Sequence, residues 1–280
     1  MSEAPGPAGR LTICPTPIGN LGDCSPRVAA ALLGADLVLC EDTRRTGKLL
    51  QYLAAEAGAD GRPPMRAMHD HNERGQVDGL IASMRDGMRA ALCSDAGTPL
   101  VSDPGLGLVR ACLDAGIPVE SLPGPSAVLV ALAASGMAAD RWRFIGFAPR
   151  KAEAAAAVLL DEETTVAFEA PGRVGATLAA LAAVDPERQV AVTRELTKVY
   201  EEVVRGSAAE LADRYSSAPP KGEVTLVIAG ATREVDDEAA IVAVERLVAA
   251  GARTKDAAAV VSELTGARTN ALYRAVQERR

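Results

Sequence analysis

The residues best suited to chemistry stand directly behind short apolar runs. The run Leu37–Cys40 is followed by Glu41, Asp42, Thr43, Arg44, Arg45 and Thr46. Two carboxylates beside two guanidiniums could move a proton or hold a phosphate or carboxylate. Asp42 or Thr43 could equally cap the next helix. The run Arg89–Cys93 is followed by Ser94, Asp95, Ala96, Gly97, Thr98 and Pro99. An acid at a strand end, followed by small residues, suits a ribose or amine contact with close backbone approach. Ser102-Asp103-Pro104-Gly105 reads foremost as a helix start, with Ser102 or Asp103 as N-cap and Pro104 at the first helical position.

Three further loops complete the set. Pro15-Thr16-Pro17-Ile18-Gly19-Asn20-Leu21-Gly22 is stiffened by two prolines and opened by two glycines. It lacks the G-x-G-x-x-G spacing of a dinucleotide fingerprint. Leu122-Pro123-Gly124-Pro125-Ser126-Ala127 joins a rigid turn to a helix start, whose N–H groups could hold a carboxylate, or it is a hinge between domains. His69-Asp70-His71-Asn72-Glu73 offers imidazoles, with Asn72 as a cap for the next helix. There are only two histidines, and the five cysteines (Cys14, Cys24, Cys40, Cys93, Cys112) form no C-x-x-C pair. No metal site and no disulfide framework are expected. Cys14, Cys40 and Cys93 end apolar runs and read as small buried hydrophobes in a reducing compartment.

These loops need a scaffold that brings strand ends together. The chain has 280 residues, 48% hydrophobic and 24% charged, which are globular values. Strands are expected at Leu11–Cys14, Leu37–Cys40, Arg89–Cys93 and Val119–Leu122, with helices near 25–34, 43–57, 73–86 and 102–115. That alternation predicts a mostly parallel sheet covered by helices, with ligands beyond the carboxyl ends of its strands. A second block follows residues 123–126, with strands near 143–147, 164–168, 189–194 and 223–229. Its helices are expected near 126–135, 151–160, 172–183 and 206–215. From Glu234 only helices are expected: Glu238–Ala249, Lys255–Leu264 and Thr269–Glu278. The predicted division is a flexible lead-in over 1–9, an α/β domain over 10–122, a second α/β domain over 123–232 and a helical module over 233–280. In that module Gly266 supplies a turn and Thr269 or Asn270 a cap, as in a helix-turn-helix. No stretch is long and apolar enough to cross a membrane, and the N-terminus lacks the pattern of a secretory signal.

The motifs PTPIGNLGD, EDTRRTG, HDHNE, SDAGTPLVSDPG, LPGPSA and RELTK occur in this order. Together they resemble the small-subunit ribosomal RNA methyltransferases of the tetrapyrrole methylase superfamily, over the chain from about Leu11 to its end. Single pieces are moderately specific; six in order are highly specific. The resemblance implies two α/β domains with the methyl donor S-adenosylmethionine in the cleft between them, in a cytoplasmic homodimer. It implies methylation of a cytidine ribose 2′-hydroxyl in the decoding centre of 16S rRNA. A methyltransferase of tetrapyrroles, or a ribosome-assembly factor without catalysis, is the alternative. One departure stands out: Gly172 occupies a position before Arg173 where the family often has His or Tyr.

On this reading Pro17, Ile18, Gly19, Asp95, Ala96, Gly97, Thr98, Pro99, Ser126, Ala127 and Phe168 are expected around the donor. Glu41, Asp42, His71 and Glu169 are candidate bases, because a ribose hydroxyl is a poor acid. Arg44, Arg45 and Lys48 are candidates for phosphate contact or for steadying the developing oxyanion. The net charge of −7, from 30 basic and 37 acidic residues, speaks against a broad electrostatic nucleic-acid binder. RNA is therefore expected to be held by shape, by ribosomal proteins of an assembled small subunit that share the recognition, or by local patches: Arg141, Arg143, Arg150 and Lys151, or Arg268, Arg274, Arg279 and Arg280 near the end.

Overall fold

The computed structural model describes residues 9–69, 71–231 and 237–279. All but Gly9 of the lead-in, together with Asp70, Arg233 and Arg280, lies outside the described residues. The chain forms two compact units, one reaching Gly230 and one starting at Ala231.

The first unit holds two five-stranded sheets. Strands β1 (Arg10–Ile13), β2 (Leu37–Cys40), β3 (Met65–Ala67), β4 (Arg89–Leu92) and β5 (Val119–Ser121) are ordered β3-β2-β4-β1-β5 and all parallel. Their apolar runs lack alternation because helices cover both faces. Helices α1 (Pro26–Leu33) and α2 (Thr43–Ala57) bury Val28, Leu32, Leu50 and Leu53 against Cys14, Cys40 and Cys93. Helices α3 (Glu73–Arg85) and α4 (Leu106–Asp114) pack Leu80, Met84, Leu108 and Cys112 on the other face. Helix α1 begins where Ser25 accepts the Val28 N–H, with Pro26 in the first turn. Helix α2 begins where Asp42 accepts the Arg44 N–H.

The second sheet is mixed. Strands β6 (Trp142–Phe147), β7 (Thr164–Glu169), β8 (Gln189–Arg194), β9 (Glu202–Ser207) and β10 (Val224–Ile228) are ordered β6-β7-β10-β8-β9. Only β6 and β7 run parallel; β10 is antiparallel to both β7 and β8, and β9 to β8. Helix α5 (Ala127–Ser135) covers one face, where Val128, Ala131 and Leu132 meet Val166, Ala191 and Val227. Helices α6 (Ala152–Leu159), α7 (Val174–Val184) and α8 (Ala208–Ser216) cover the other.

Three expectations need correction. Strands β3 and β9 were not expected: β3 is three residues long at a sheet edge, and β9 (EVVRGS) is half polar, so neither shows a clear apolar run. The helix expected from 102 starts at Leu106, because Ser102 and Gly105 both take left-handed backbone, with φ of 68° and 115°. Neither Ser102 nor Asp103 caps it. Glu73 of α3 does so instead, its carboxylate accepting the Leu108 N–H at 2.8 Å.

The second unit is helical: α9 (Asp237–Ala249), α10 (Thr254–Thr265) and α11 (Thr269–Glu278) enclose Val244, Ala258, Val261, Leu272 and Val276. Gly266 ends α10 at φ 79°, as a turn between helices requires. The cap position of α11 is Arg268, not Thr269 or Asn270; the Thr269 hydroxyl instead meets that of Ser262 at 2.8 Å. Among the described residues no helix is long and apolar enough to span a membrane, and no cluster of metal-binding side chains occurs. All five cysteines are free, and only Cys24 is not fully buried.

Candidate active site

A cavity of about 440 Å³ opens where the first sheet's loops, the start of α5 and one edge of the second sheet converge. That volume falls within the usual range of small-molecule sites, roughly 300–1,000 Å³. The first sheet contributes the loop after β4. Its backbone is fixed by paired hydrogen bonds between Thr16 and Gly97, at 2.8 and 3.0 Å. The Thr98 hydroxyl donates to the Pro125 carbonyl at 3.1 Å, tying this loop to the turn before α5. Gly97 sits at φ 82°, and a Cβ there would lie 3.4 Å from Ile18 Cγ2. No side chain caps α5, so Ser126, Ala127 and Val128 present an open helix N-terminus to the cavity. An anion can dock against such N–H groups.

The second sheet contributes through antiparallel pairing. The end of β7, Phe168 and Glu169, lies beside the beginning of β10, Val224 and Thr225. Both pairs line the cavity, with Gly222 and Glu223 just ahead of β10.

Of the residues expected around the donor, Ile18, Ala96, Gly97, Thr98, Ser126, Ala127 and Phe168 line this cavity. Pro17 and Asp95 instead line a separate hollow of about 360 Å³, with Arg45 and Lys48. Pro99 is buried behind the loop. Gly19 packs against the segment Leu196–Lys198, where a Cβ would come within 2.3 Å of the Lys198 side chain. Lys198 is held by Glu195 and Glu223, each at 2.9 Å, so the RELTK motif braces the cavity's rim.

The candidate bases are dispersed. Glu169 is on the cavity wall but 2% exposed. Its oxygens accept from the Ala170 N–H and the Thr177 hydroxyl, both at 2.7 Å, and meet Arg173 at 2.6 Å. Asp42 caps α2 and grips Arg44, whose guanidinium holds the Asp42 carboxyl down to about 2. Glu41 accepts the Asp95 N–H at 3.2 Å. Asp95 in turn accepts the Asp42 N–H and pairs with Arg45, both at 3.1 Å. His71 is exposed beyond β3, against the edge of the His69 ring, and is not on the cavity. Asn72 heads α3 without capping it; its amide bonds His69 and Ala67. Two arginines expected in basic patches are occupied: Arg143 pairs with Asp161, and Arg279 with Glu238. Arg268 and Arg274 are exposed.

Asp103 was read from the sequence as a helix cap, yet it lines the cavity. Burial pushes its carboxyl up to about 6, with the charge of Glu41 adding to the shift and a Ser94 hydrogen bond opposing it. Val101, Phe147 and Gly222–Thr225 were also not anticipated. The only sequence signal for the latter is the glycine closing the loop Pro219-Pro220-Lys221-Gly222.

The chain matches two family models: Tetrapyrrole (Corrin/Porphyrin) Methylases over residues 10–212, and the RsmI C-terminal HTH domain over residues 235–280. It is 47% identical over 279 residues to the Ribosomal RNA small subunit methyltransferase I of Mycobacterium bovis, covering 98% of this chain and 96% of that one. Among solved structures, it is similar to a uroporphyrin-III-C-methyltransferase from Thermus thermophilus, with TM-score 0.57 and 21% identity over 79% of this chain and 94% of that one. A Thermus thermophilus enzyme of the same kind complexed with S-adenosyl homocysteine gives TM-score 0.54 and 18% identity, over 79% and 97%. At such identities the likeness is one of fold. The helical second unit and the near full-length identity distinguish this chain from those ring methylases, and it belongs to the ribosomal RNA small subunit methyltransferase I family, built on the tetrapyrrole methylase fold.

Proposed function

We propose that this member of an rRNA methyltransferase family methylates the ribose 2′-hydroxyl of a cytidine in the decoding centre of 16S rRNA. The donor is S-adenosylmethionine, the substrate the assembled small subunit, the compartment the cytoplasm and the active form a homodimer. The observation that carries the reading is the convergence of both sheets and an open helix N-terminus on one cavity of ligand size. When bound there, the donor supplies an electrophilic methyl group on a sulfonium.

The chain's own residues fit that ligand. Gly97 leaves the room a side chain would fill. The start of α5 suits a carboxylate, and Asp103 suits a positive charge. Ile18, Val128 and Phe168 give apolar walls that exclude water. Catalysis is chiefly positioning: the new O–CH₃ bond forms in line as the CH₃–S bond breaks, and its electron pair stays on sulfur. The hydroxyl proton must leave to a base. Three carboxylates line the cavity, Asp103, Glu169 and Glu223; Glu169 is already committed to Arg173 and Thr177, and Glu223 to Lys198. The hollow of Arg45 and Lys48 suits an RNA phosphate. Exposed Arg268 and Arg274 on the helix-turn-helix suit further backbone contacts. Val199 and Tyr200, exposed side by side, suit a subunit interface.

The test is nucleoside mass spectrometry. Small subunits from a strain lacking the gene are incubated with the protein and methyl-deuterated donor. The reading expects one labelled 2′-O-methylcytidine in 16S rRNA, while label on a base, or none, refutes it. A variant with Arg268 and Arg274 both changed to alanine should keep donor affinity. Its subunit methylation should show a shallower salt dependence, because phosphate contacts are lost.

A further inference from the structure

A second hollow, of about 520 Å³, adjoins the cavity and is formed by Phe147, Ala148, Arg150, Ala170 and Arg173. Phe147 and Ala170 belong to both spaces and form the wall between them. The chain has few rings to spare: three Phe, one Trp and four Tyr. Phe147 is nevertheless 61% exposed.

The backbone is shaped to present this ring. Phe144 pairs with Val166 and Phe147 with Phe168, so β6 carries one extra residue between them. Gly146, inside that bulge, takes φ 71°. Bulges of this kind re-aim a side chain beside a site. The edge of Phe168 braces the ring, with centroids 5.4 Å apart and planes at 61°. Across the hollow, Arg173 is anchored by Glu169, while Arg150 is exposed at the rim.

We propose that Phe147 is the platform on which the base of the target nucleotide stacks, with Arg150 holding an adjacent phosphate. The wall shared with the cavity then sets the ribose next to the methyl donor. The inference rests on the reading of the chain as an RNA ribose methyltransferase. Sequence-specific RNA recognition favours unstacked bases laid on aromatic rings, and the stacking itself draws on the ring face, with a nearby cation holding the backbone. It accounts for how a chain of net charge −7 places one nucleotide without a broad basic face.

The test compares Phe147→Ala, Phe147→Leu and Phe147→Trp, with donor affinity by calorimetry and steady-state methylation of small subunits. At saturating donor, Ala and Leu should each lower kcat/KM for subunits by about tenfold or more, the loss of one stacked base. Trp should restore it. Arg150→Ala should reduce the slope of log kcat/KM against log salt by about 0.7, one phosphate contact. Rescue by Leu would mean that only apolar bulk is needed and would overturn the stacking role. A loss confined to donor affinity, with kcat/KM for subunits intact at saturating donor, would give the ring to the donor site alone and overturn it too. A wild-type protein inactive on subunits would refute the parent reading; an active one indifferent to all these variants would refute this inference alone.

Discussion

The two sheets of the first unit serve the cavity differently. The parallel sheet delivers its residues only from loops beyond strand ends, as with Ala96–Thr98 and Asp103 after β4. The mixed sheet delivers the end of β7 and the start of β10 together, because antiparallel neighbours bring opposite ends to one edge. A rule that looks only beyond carboxyl ends finds the parallel sheet's loops and the end of β7, and overlooks the start of β10. The difference follows from strand direction alone.

The strongest way to break the comparison is on the parallel side. Gly97→Val forces a β-branched residue to φ 82° and pushes methyls toward Ile18. Donor affinity should fall roughly a hundredfold, about 3 kcal/mol, by calorimetry. An unchanged Kd would remove the β4 loop from the site. On the mixed side, Thr225→Phe fills the cavity from the face that Thr225 shares with Val227, and should cost about tenfold in donor Kd. If Gly97→Val disrupts binding and Thr225→Phe does not, the mixed sheet is scaffold only.

Asp103 sharpens the comparison through pH. Its carboxyl, raised to about 6, is neutral below that value and charged above it. A cationic donor binds the charged form better, so affinity should rise severalfold between pH 5 and 7. Asp103→Asn should flatten that rise. The sign for stability is opposite: a raised carboxyl favours the fold below its ordinary range and loses that contribution as pH climbs through 6. Asp103→Asn should therefore melt above wild type at pH 8 and near it at pH 4. The smallest effect belongs to Glu73. Removing the carboxylate that caps α4 should cost about 1 kcal/mol of stability, read by urea unfolding, with donor affinity intact.

The legible parts of the molecule share a cause. The central strands of the parallel sheet are buried on both faces, so Leu37–Cys40 and Ala90–Leu92 stand out as unbroken apolar runs. Helix caps such as Ser25 and Asp42 carry local signals. The hidden parts depend on contacts distant in sequence. Glu73 reads as part of a candidate reaction motif, yet it caps a helix whose start lies 33 residues on, at Leu106. Ser102-Asp103-Pro104-Gly105 reads as a helix start, yet left-handed backbone at Ser102 and Gly105 turns Asp103 to the cavity instead. Phe147 depends on a bulge that only the pairing of β6 with β7 reveals. Thr225 depends on β10 meeting β7 head to tail.

The most direct measurement is a crystal structure of the protein with S-adenosylhomocysteine. The account predicts one molecule touching Gly97 and the start of α5 on one side, and Thr225 of β10 on the other. A ligand seated instead in the hollow of Arg45, Lys48 and Asp95, or clear of the mixed sheet, would contradict it.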